Sequence, residues 1–306
     1  MTDRYAVIGH PIEHSKSPQI HAAFAAQTGE PLEYGRILGN LNDFAGDVRR
    51  FVAEGGRGLN VTVPFKTEAF ELLEDLSAHA RAAGAVNTLI VRDGGLLRGD
   101  NTDGIGLIRD LTVNHSFALA GRRVLLLGAG GAARGVLRPL LEAEPAALVI
   151  ANRTAAKAEA LASELATATT HHSAFRRQPD PASQAQADST TTGQPNTAAR
   201  AATDVSGCGL EALAGQRFDL IINATSTGLE GGVPAIPDDC LTDSGWVYDM
   251  LYADEPTPFC RWGQRHGAAQ ALDGLGMLVE QAAESFWLWR GVRPQTAPVI
   301  ESLRGA

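Results

Sequence analysis

The sequence contains little cysteine and no long apolar run. Its three cysteines, Cys208, Cys240 and Cys260, are far apart and show no C-x-x-C spacing. This usage argues against a disulfide framework and a zinc site, and it fits a reducing cytoplasm. No stretch of about 18 apolar residues could form a membrane helix. The first residues, MTDRY, lack the basic and apolar regions of a secretory signal. We therefore expect a soluble cytoplasmic protein.

Basic residues are also fewer than acidic ones. The chain has 26 Lys and Arg against 35 Asp and Glu, a formal net charge of −9, which argues against a nucleic-acid partner. Its 306 residues correspond to about two domains at roughly 150 residues each. Apolar residues make up 44% and charged residues 20%, the composition of a globular chain that can bury a core.

Short apolar runs alternate with helical patterns along most of the chain, which predicts an α/β protein with two α/β domains. In the first hundred residues the pattern indicates βαβ units and a mainly parallel sheet. A second α/β series starts near residue 122, so a domain boundary falls within 103–121. The predicted strands are 5–8, 59–63, 86–91, 124–127, 147–151, 218–223 and 246–251, and the predicted helices include 18–27, 44–54, 277–289 and one after Pro298.

One segment, 167–207, departs from this alternation. It is rich in Ala, Thr, Ser, Gln and Pro, and its only large apolar residues are Phe175 and Val205. Such a composition buries too little apolar area to offset the entropy of ordering the chain. We therefore predict a flexible surface insertion.

A glycine-rich turn lies between a predicted strand and a predicted helix. Gly128, Ala129, Gly130, Gly131, Ala132 and Ala133 match G-x-G-x-x-A in the context that dinucleotide binding requires. After the next strand come Asn152, Arg153, Thr154 and Lys157, where an NAD site usually carries an acid. Two cations favour the 2′-phosphate of NADP. The alternatives are a plain tight turn and two solvated cations.

Polar residues also follow several strands of the first half. Ser15 and Ser17 point the same way in an extended segment and suit a carboxylate, although Ser17 alone could be the N-cap of the helix that Pro18 starts. Thr62, Lys66, Asn87 and Asp103 lie where strands end, the edge at which open α/β sheets bind ligands. The aspartates of 100–104 do not follow the calcium-loop pattern, so we predict no metal.

Together these blocks resemble the shikimate dehydrogenase family over nearly the whole chain. The matching blocks are SKSP at 15–18, NVTVPFK at 60–66, GAVNT at 84–88, DNTDG at 100–104, GAGGA at 128–132, NRT at 152–154, NATS at 223–226, YDMLY at 248–252, and DGLGM at 273–277 followed by Gln281 and Ala282.

The resemblance implies an N-terminal substrate domain, 1–103, completed by C-terminal helices in 274–306. It also implies a Rossmann-like NADP-binding domain, 104–273, that carries the insertion, with the active-site cleft between the two domains. The implied reaction is the reversible NADPH-dependent reduction of 3-dehydroshikimate to shikimate, in the chorismate pathway of aromatic amino-acid biosynthesis. The oligomeric state is not implied, and a homodimer stays open.

The same resemblance implies roles for single residues. Ser15 and Ser17 would hold the substrate carboxylate, and the ring hydroxyls would contact Thr62, Asn87, Gln281 and the Lys66–Asp103 pair. Tyr252 would also contact substrate, whereas Met250 and Gly274 would lie at the nicotinamide. The glycine-rich turn would hold the pyrophosphate and the residues from Asn152 to Lys157 the 2′-phosphate.

Elementary chemistry agrees with that assignment. Adding hydride to a ketone develops an alkoxide, which needs a proton from a positioned acid. Lys66 is the natural donor, and Asp103 can orient its ammonium. Two other hypotheses remain: a quinate/shikimate dehydrogenase with relaxed cofactor choice, and a shikimate-binding relative without catalysis. Two serines and the missing acid argue against the first, and the retained Lys66 and Asp103 argue against the second.

Overall fold

The computed structural model describes residues 2–172 and 202–305, which form two six-stranded sheets flanked by helices. Its strands are β1 Asp3–Gly9, β2 Leu32–Leu38, β3 Gly56–Val61, β4 Asp75–Leu76, β5 Thr88–Val91, β6 Leu97–Asp100, β7 Arg123–Leu127, β8 Ala147–Asn152, β9 Asp204–Gly209, β10 Phe218–Asn223, β11 Leu241–Asp249 and β12 Gln270–Leu272. Its α-helices are α1 Ser17–Thr28, α2 Phe44–Ala53, α3 Lys66–Glu71, α4 Ala78–Ala83, α5 Asp103–Arg109, α6 Gly131–Glu142, α7 Ala155–His172, α8 Pro258–Arg265, α9 Leu275–Arg290 and α10 Ala297–Arg304.

The first sheet has the order β2-β1-β3-β5-β6-β4. Strands β1, β2 and β3 are parallel, while β5 runs antiparallel to both of its neighbours, so this sheet is mixed. Helix α2 shows how the sequence builds this layer: the Asp43 carboxylate accepts the Gly46 N–H at 2.9 Å and caps the helix. Phe44, Val48 and Phe51 then recur on one helix face and pack against the sheet.

The second sheet is parallel throughout, with the order β12-β11-β10-β7-β8-β9. Strand β7 reads as a continuous apolar run, and its residues Val124, Leu125, Leu126 and Leu127 are fully buried because helices cover both faces. The strand order reverses between β7 and β10, and a doubly wound sheet binds ligands at such a point. This sheet is the predicted Rossmann-like one.

Two helices connect the halves. Helix α5 leads the chain out of the first sheet, a short π-helical stretch at 110–114 follows, and β7 begins at Arg123. Helix α9 returns from the second sheet and packs on α1 through Ile20, Phe24, Val279 and Phe286. The predicted domain boundary at residue 103 lies at the start of α5, the helix that leaves the first sheet. This boundary stays a prediction.

The predicted flexible insertion, 167–207, is wrong at both ends. Helix α7 continues to His172, and β9 starts at Asp204 and pairs in parallel with β8. Composition missed β9 because an edge strand needs little apolar area. Val205 and Cys208 are its apolar residues that pack against the core, and backbone hydrogen bonds to β8 supply the rest. Residues 173–201 of the predicted insertion lie outside the described residues. None of the helices within 2–172 and 202–305 is long and apolar enough to cross a membrane.

A buried histidine lies under the first sheet. His21 of α1 is fully buried, and its ring stacks on Tyr34 with centroids 4.1 Å apart and an interplanar angle of 6°. Neither ring nitrogen has a hydrogen-bond partner among the described residues. Burial therefore lowers the pKa of His21 to about 3, since the charged form would lose its hydration.

This burial predicts a loss of stability in mild acid. Below pH 6.5 the unfolded chain binds a proton at this histidine that the folded chain does not, so stability falls as the pH falls. Between pH 7 and pH 5 the parent should lose about 2 kcal/mol of unfolding free energy that His21→Phe does not lose. Urea denaturation at both pH values measures this difference. The control is His14→Gln, at an exposed histidine, which should keep the parent's pH dependence; equal losses in parent and His21→Phe would contradict the account.

Candidate active site

A cavity of about 490 Å³ opens between the two sheets. It lies where the carboxyl ends of β1, β3, β10 and β11 meet, because parallel strands of each sheet end toward the same cleft. Every residue predicted for catalysis or substrate binding lines it, namely Ser15, Ser17, Thr62, Lys66, Asn87, Asp103, Tyr252 and Gln281. Of the residues predicted for the cofactor, Ala132, Met250 and Gly274 line it as well.

Lys66 and Asp103 form an ion pair in this cavity. The Lys66 Nζ donates to Asp103 Oδ2 at 2.6 Å. Lys66 begins α3 directly after the turn that ends β3, and Asp103 begins α5 after β6, so two different strand ends supply the pair. The lysine side chain is 31% exposed and the aspartate 16%, which leaves the ammonium accessible to a molecule in the cavity.

A buried amide holds the other oxygen of that carboxylate. Asn87 Nδ2 donates to Asp103 Oδ1 at 2.8 Å and to the Thr102 hydroxyl at 3.0 Å. Gln281, from the C-terminal helix α9, lies beside them, with its Oε1 3.4 Å from Asn87 Nδ2. Residues that are 194 positions apart in the chain therefore share one hydrogen-bonded cluster.

The two serines lie at the start of α1, and the N-cap interpretation of Ser17 is wrong. Ser17 is the first helical residue, Lys16 holds the cap position, and neither caps through its side chain. Instead Ser15 Oγ accepts the Ser17 N–H at 3.3 Å, so Ser15 has a local backbone role that the sequence did not indicate. Both serines nevertheless face the cavity, and Arg36 Nη2 donates to the Ser15 carbonyl at 2.6 Å.

Residues after β11 form the opposite wall. Tyr252 is 36% exposed at the cavity, and partial burial raises the pKa of its phenol. Gly274 precedes α9, and a Cβ there would stand 2.4 Å from the Met250 carbonyl oxygen, so only glycine lets these two segments approach. Asp249 supports the turn beneath them, because its carboxylate accepts hydrogen bonds from Asn223 and Thr257.

The glycines of the turn after β7 serve different purposes. Gly128 has φ +109°, a conformation that side-chain-bearing residues rarely adopt, so the backbone itself demands glycine. A Cβ on Gly130 or Gly131 would meet nothing within 4 Å. Packing therefore does not explain these two glycines, and the first N–H groups of α6 face open space where an anion could bind.

The predicted 2′-phosphate residues lie outside the cavity, at the carboxyl end of β8, which neighbours β7. Arg153, Thr154 and Lys157 are exposed, and Asn152 Nδ2 donates to the Thr154 carbonyl at 3.0 Å. Among residues 2–172 and 202–305, neither Arg153 nor Lys157 has a carboxylate partner within 4.0 Å. Their charges therefore point at solvent beside the glycine-rich turn.

Several cavity residues escaped the sequence reasoning. Thr225, Leu251 and Asn60 line the cavity, although the sequence analysis placed them in matching blocks without a site role. Thr225 and Leu251 follow the carboxyl ends of β10 and β11, which is the signal that could have found them. No cluster of three or more His, Cys, Asp or Glu able to hold a metal occurs in the part of the chain that the structure describes.

Family models match three stretches of the chain. The substrate binding domain of shikimate dehydrogenase matches residues 7–89, shikimate / quinate 5-dehydrogenase matches 111–201, and the shikimate 5'-dehydrogenase C-terminal domain matches 274–304. The shikimate dehydrogenase (NADP(+)) of Thioalkalivibrio sulfidiphilus is 53% identical over 302 residues, which cover 99% of this chain and 98% of that protein.

Solved structures agree. The crystal structure of an Ael1 enzyme from Pseudomonas putida has a TM-score of 0.83 and 45% identity, covering 99% of this chain and 98% of that one. The shikimate 5-dehydrogenase from Thermus thermophilus, solved in complex with NADP(H) and shikimate, has a TM-score of 0.78 and 29% identity, covering 99% of both chains. From its sequence identity over nearly the whole length, this chain belongs to the shikimate dehydrogenase family.

Proposed function

We propose that this chain catalyses the reversible reduction of 3-dehydroshikimate to shikimate with NADPH, a step of chorismate and aromatic amino-acid biosynthesis. The observation that carries the proposal is the Lys66–Asp103 ion pair at 2.6 Å in a cavity lined by all the predicted substrate residues. The full-length relatives named NADP(+)-dependent shikimate dehydrogenases support the same activity.

Lys66 is the general acid of the reduction. When bound, NADPH supplies a hydride to the ketone carbon, and the carbonyl oxygen becomes an alkoxide. The Lys66 ammonium donates a proton to that oxygen, and in the oxidation the neutral amine takes the proton back. Asp103 fixes the ammonium through one carboxylate oxygen while Asn87 holds the other, so the donor keeps its place as the proton moves.

The remaining lining residues select the substrate. The hydroxyls of Ser15 and Ser17 hold its carboxylate at one end of the cavity. Thr62, Asn87 and Gln281 contact ring hydroxyls near the ion pair, and Tyr252 contacts the substrate from the opposite wall. In this proposal the carboxylate and the reacting carbon lie at different ends of one cleft.

The chain's residues fit NADP. The open surface over Gly130 and Gly131 leaves room for a pyrophosphate against the N–H groups of α6. Beside it, the exposed Arg153 and Lys157 meet the 2′-phosphate, with Asn152 and Thr154 as neutral partners. Ala129 and Ala132 complete the turn, and Met250 and Gly274 lie at the nicotinamide end, where they also line the substrate cavity.

The cysteine usage supports a cytoplasmic location for this enzyme. Cys208, Cys240 and Cys260 are all free. Size-exclusion chromatography with light scattering distinguishes a monomer from a homodimer.

Replacing the general acid should abolish most turnover. We expect Lys66→Met to lower kcat by about 10²-fold or more, the usual range for a lost general acid, while NADPH still binds. Steady-state oxidation of shikimate with NADP measures this. The control is Arg49→Met, which removes one positive charge at an exposed position on α2, outside the cavity, and should spare kcat. A Lys66→Met enzyme whose kcat stays within a few-fold of the parent value would contradict the assignment of Lys66 as the general acid.

Removing the Arg153 side chain after β8 should weaken the binding of NADPH and not that of NADH. Arg153→Ala should weaken NADPH by about 1.5 to 3 kcal/mol, because a charge-assisted hydrogen bond is lost, and should leave NADH nearly unchanged. Fluorescence titration with each cofactor measures both affinities. Arg217→Ala, at a half-exposed arginine that is paired with Asp243, is the control and should change neither. Equal losses of affinity for NADPH and NADH would contradict a contact between Arg153 and the 2′-phosphate.

A further inference from the structure

A line of polar side chains, all buried except the half-buried Tyr34, runs from the outer strand of the first sheet to the ion pair. It consists of Tyr34, Asn60, Ser285, Thr88 and Asn87, and we call these five residues the polar chain. The Tyr34 hydroxyl donates to Asn60 Oδ1 at 2.6 Å, and Asn60 Nδ2 donates to Ser285 Oγ at 3.0 Å. Ser285 Oγ and Thr88 Oγ1 are 2.8 Å apart, and Thr88 Oγ1 lies 2.8 Å from Asn87 Oδ1.

The number of available protons determines which group donates at each contact of the polar chain. The Asn87 amide oxygen has no proton, so the Thr88 hydroxyl must donate to it; otherwise two lone pairs would face each other at 2.8 Å. The single Thr88 proton is then used, and Ser285 must donate to Thr88. Ser285 Oγ also donates to the Gln281 carbonyl of its own helix at 3.1 Å, so its single proton is shared between that carbonyl and Thr88 Oγ1.

At the Asn87 end of the polar chain, donor and acceptor are determined in the same way. The Thr102 backbone N–H, which can only donate, lies 2.9 Å from Asn87 Oδ1. Asn87 Nδ2 therefore faces the Asp103 carboxylate at 2.8 Å. The hydrogen bonds from Tyr34 to Asn60, from Thr88 to Asn87 and from Asn87 to Asp103 run toward that carboxylate, and hydrogen bonds aligned in one direction polarise one another in a low-dielectric interior.

Ser285 and Thr88 are fully buried. A buried hydroxyl costs free energy unless it is hydrogen-bonded, and the Thr88 hydroxyl meets this requirement by donating to the Asn87 amide oxygen at 2.8 Å. The ion pair that the two hydroxyls reach through Asn87 is the proposed proton donor.

We propose that Thr88 and Ser285 are positioning residues that act through the Asn87 amide on the catalytic ion pair. This inference rests on the proposed function, because it assigns a purpose to the ion pair in the proton transfer. Neither hydroxyl lines the cavity, so neither touches the substrate. Their effect is on the rate of the reaction and on the placement of the Asp103 carboxylate.

The matched pair Thr88→Val and Thr88→Ser tests the inference. Valine keeps the shape and removes the proton, whereas serine keeps the proton. We expect Thr88→Val to lower kcat for shikimate oxidation by about 2- to 12-fold, the factor of one net hydrogen bond, and Thr88→Ser to restore most of it. The dissociation constant of NADPH should stay within about two-fold in both. Ser285→Ala should give a drop of similar size that does not add to that of Thr88→Val.

A second background separates positioning from a general loss of stability. In Asp103→Ala the Asn87 amide has no carboxylate to hold, so adding Thr88→Val should lower the residual kcat no further, and any effect through the substrate contact of Asn87 should appear in KM. A stability effect would cost the same factor in both backgrounds. Thr28→Val removes a hydroxyl that donates to the Phe24 carbonyl at 2.8 Å, in the same half of the protein and outside the polar chain. It should leave kcat unchanged.

The outcomes are distinct. A parent that oxidises shikimate while Thr88→Val keeps its full kcat would overturn the positioning inference alone. That inference also fails if Thr88→Ser is as slow as Thr88→Val, or if the loss persists in Asp103→Ala. A well-folded parent without shikimate turnover would overturn the proposed function, and the inference with it.

Discussion

The contact between Lys66 and Asp103 is the interaction on which the site depends. Its two members come from different strand ends, and Asp103 is the first residue of the helix that leaves the first sheet. Placement of this carboxylate is therefore tied to the crossing between the two halves. With the lysine side chain 31% exposed, water screens the pair, and such pairs contribute little to stability. Its value lies in geometry: it holds an ammonium at a fixed place in the cleft.

The surroundings of the pair explain how that geometry persists. Asn87, Thr88, Thr102 and Ser285 are buried, and each finds hydrogen-bond partners. A fully satisfied polar cluster is rigid, because any rotation would leave a buried donor or acceptor without a partner. His21, beneath the same sheet, shows the opposite case. Its ring, without a partner among the described residues, stays neutral and acts as an aromatic surface for Tyr34.

Much of this could be predicted from the sequence, since the signals were local. The apolar run at 124–127, the glycine-rich turn and the helix after it lie close together in the chain and were confirmed as one unit. Edge strand β9 was missed because backbone pairing, not apolar burial, places it. The local bond of Ser15 to the Ser17 N–H was missed because it depends on where the helix begins.

Long-range contacts were beyond the sequence for a different reason. Asn60 and Ser285 meet across 225 positions, and the contact depends on how α9 returns against the first sheet. A serine in the middle of a helix ordinarily bonds its own helix, as Ser285 does at the Gln281 carbonyl, so the sequence gives no sign of its further contacts. Only the packed structure brings the Ser285 hydroxyl to Thr88, where the number of available protons makes Ser285 the donor.

The charge distribution resolves a conflict in the proposed function. A protein of net charge −9 should repel an anionic acid and a dinucleotide phosphate alike. Arginines offset this field locally: Arg36 lies at the loop of the two serines and Arg153 is exposed at β8, whereas Lys66 and Lys16 are paired with Asp103 and Asp254. Screening within about 10 Å at ordinary ionic strength lets these few cations dominate near the ligands. Net charge therefore limits the class of partner, while the placement of single cations decides which anions bind.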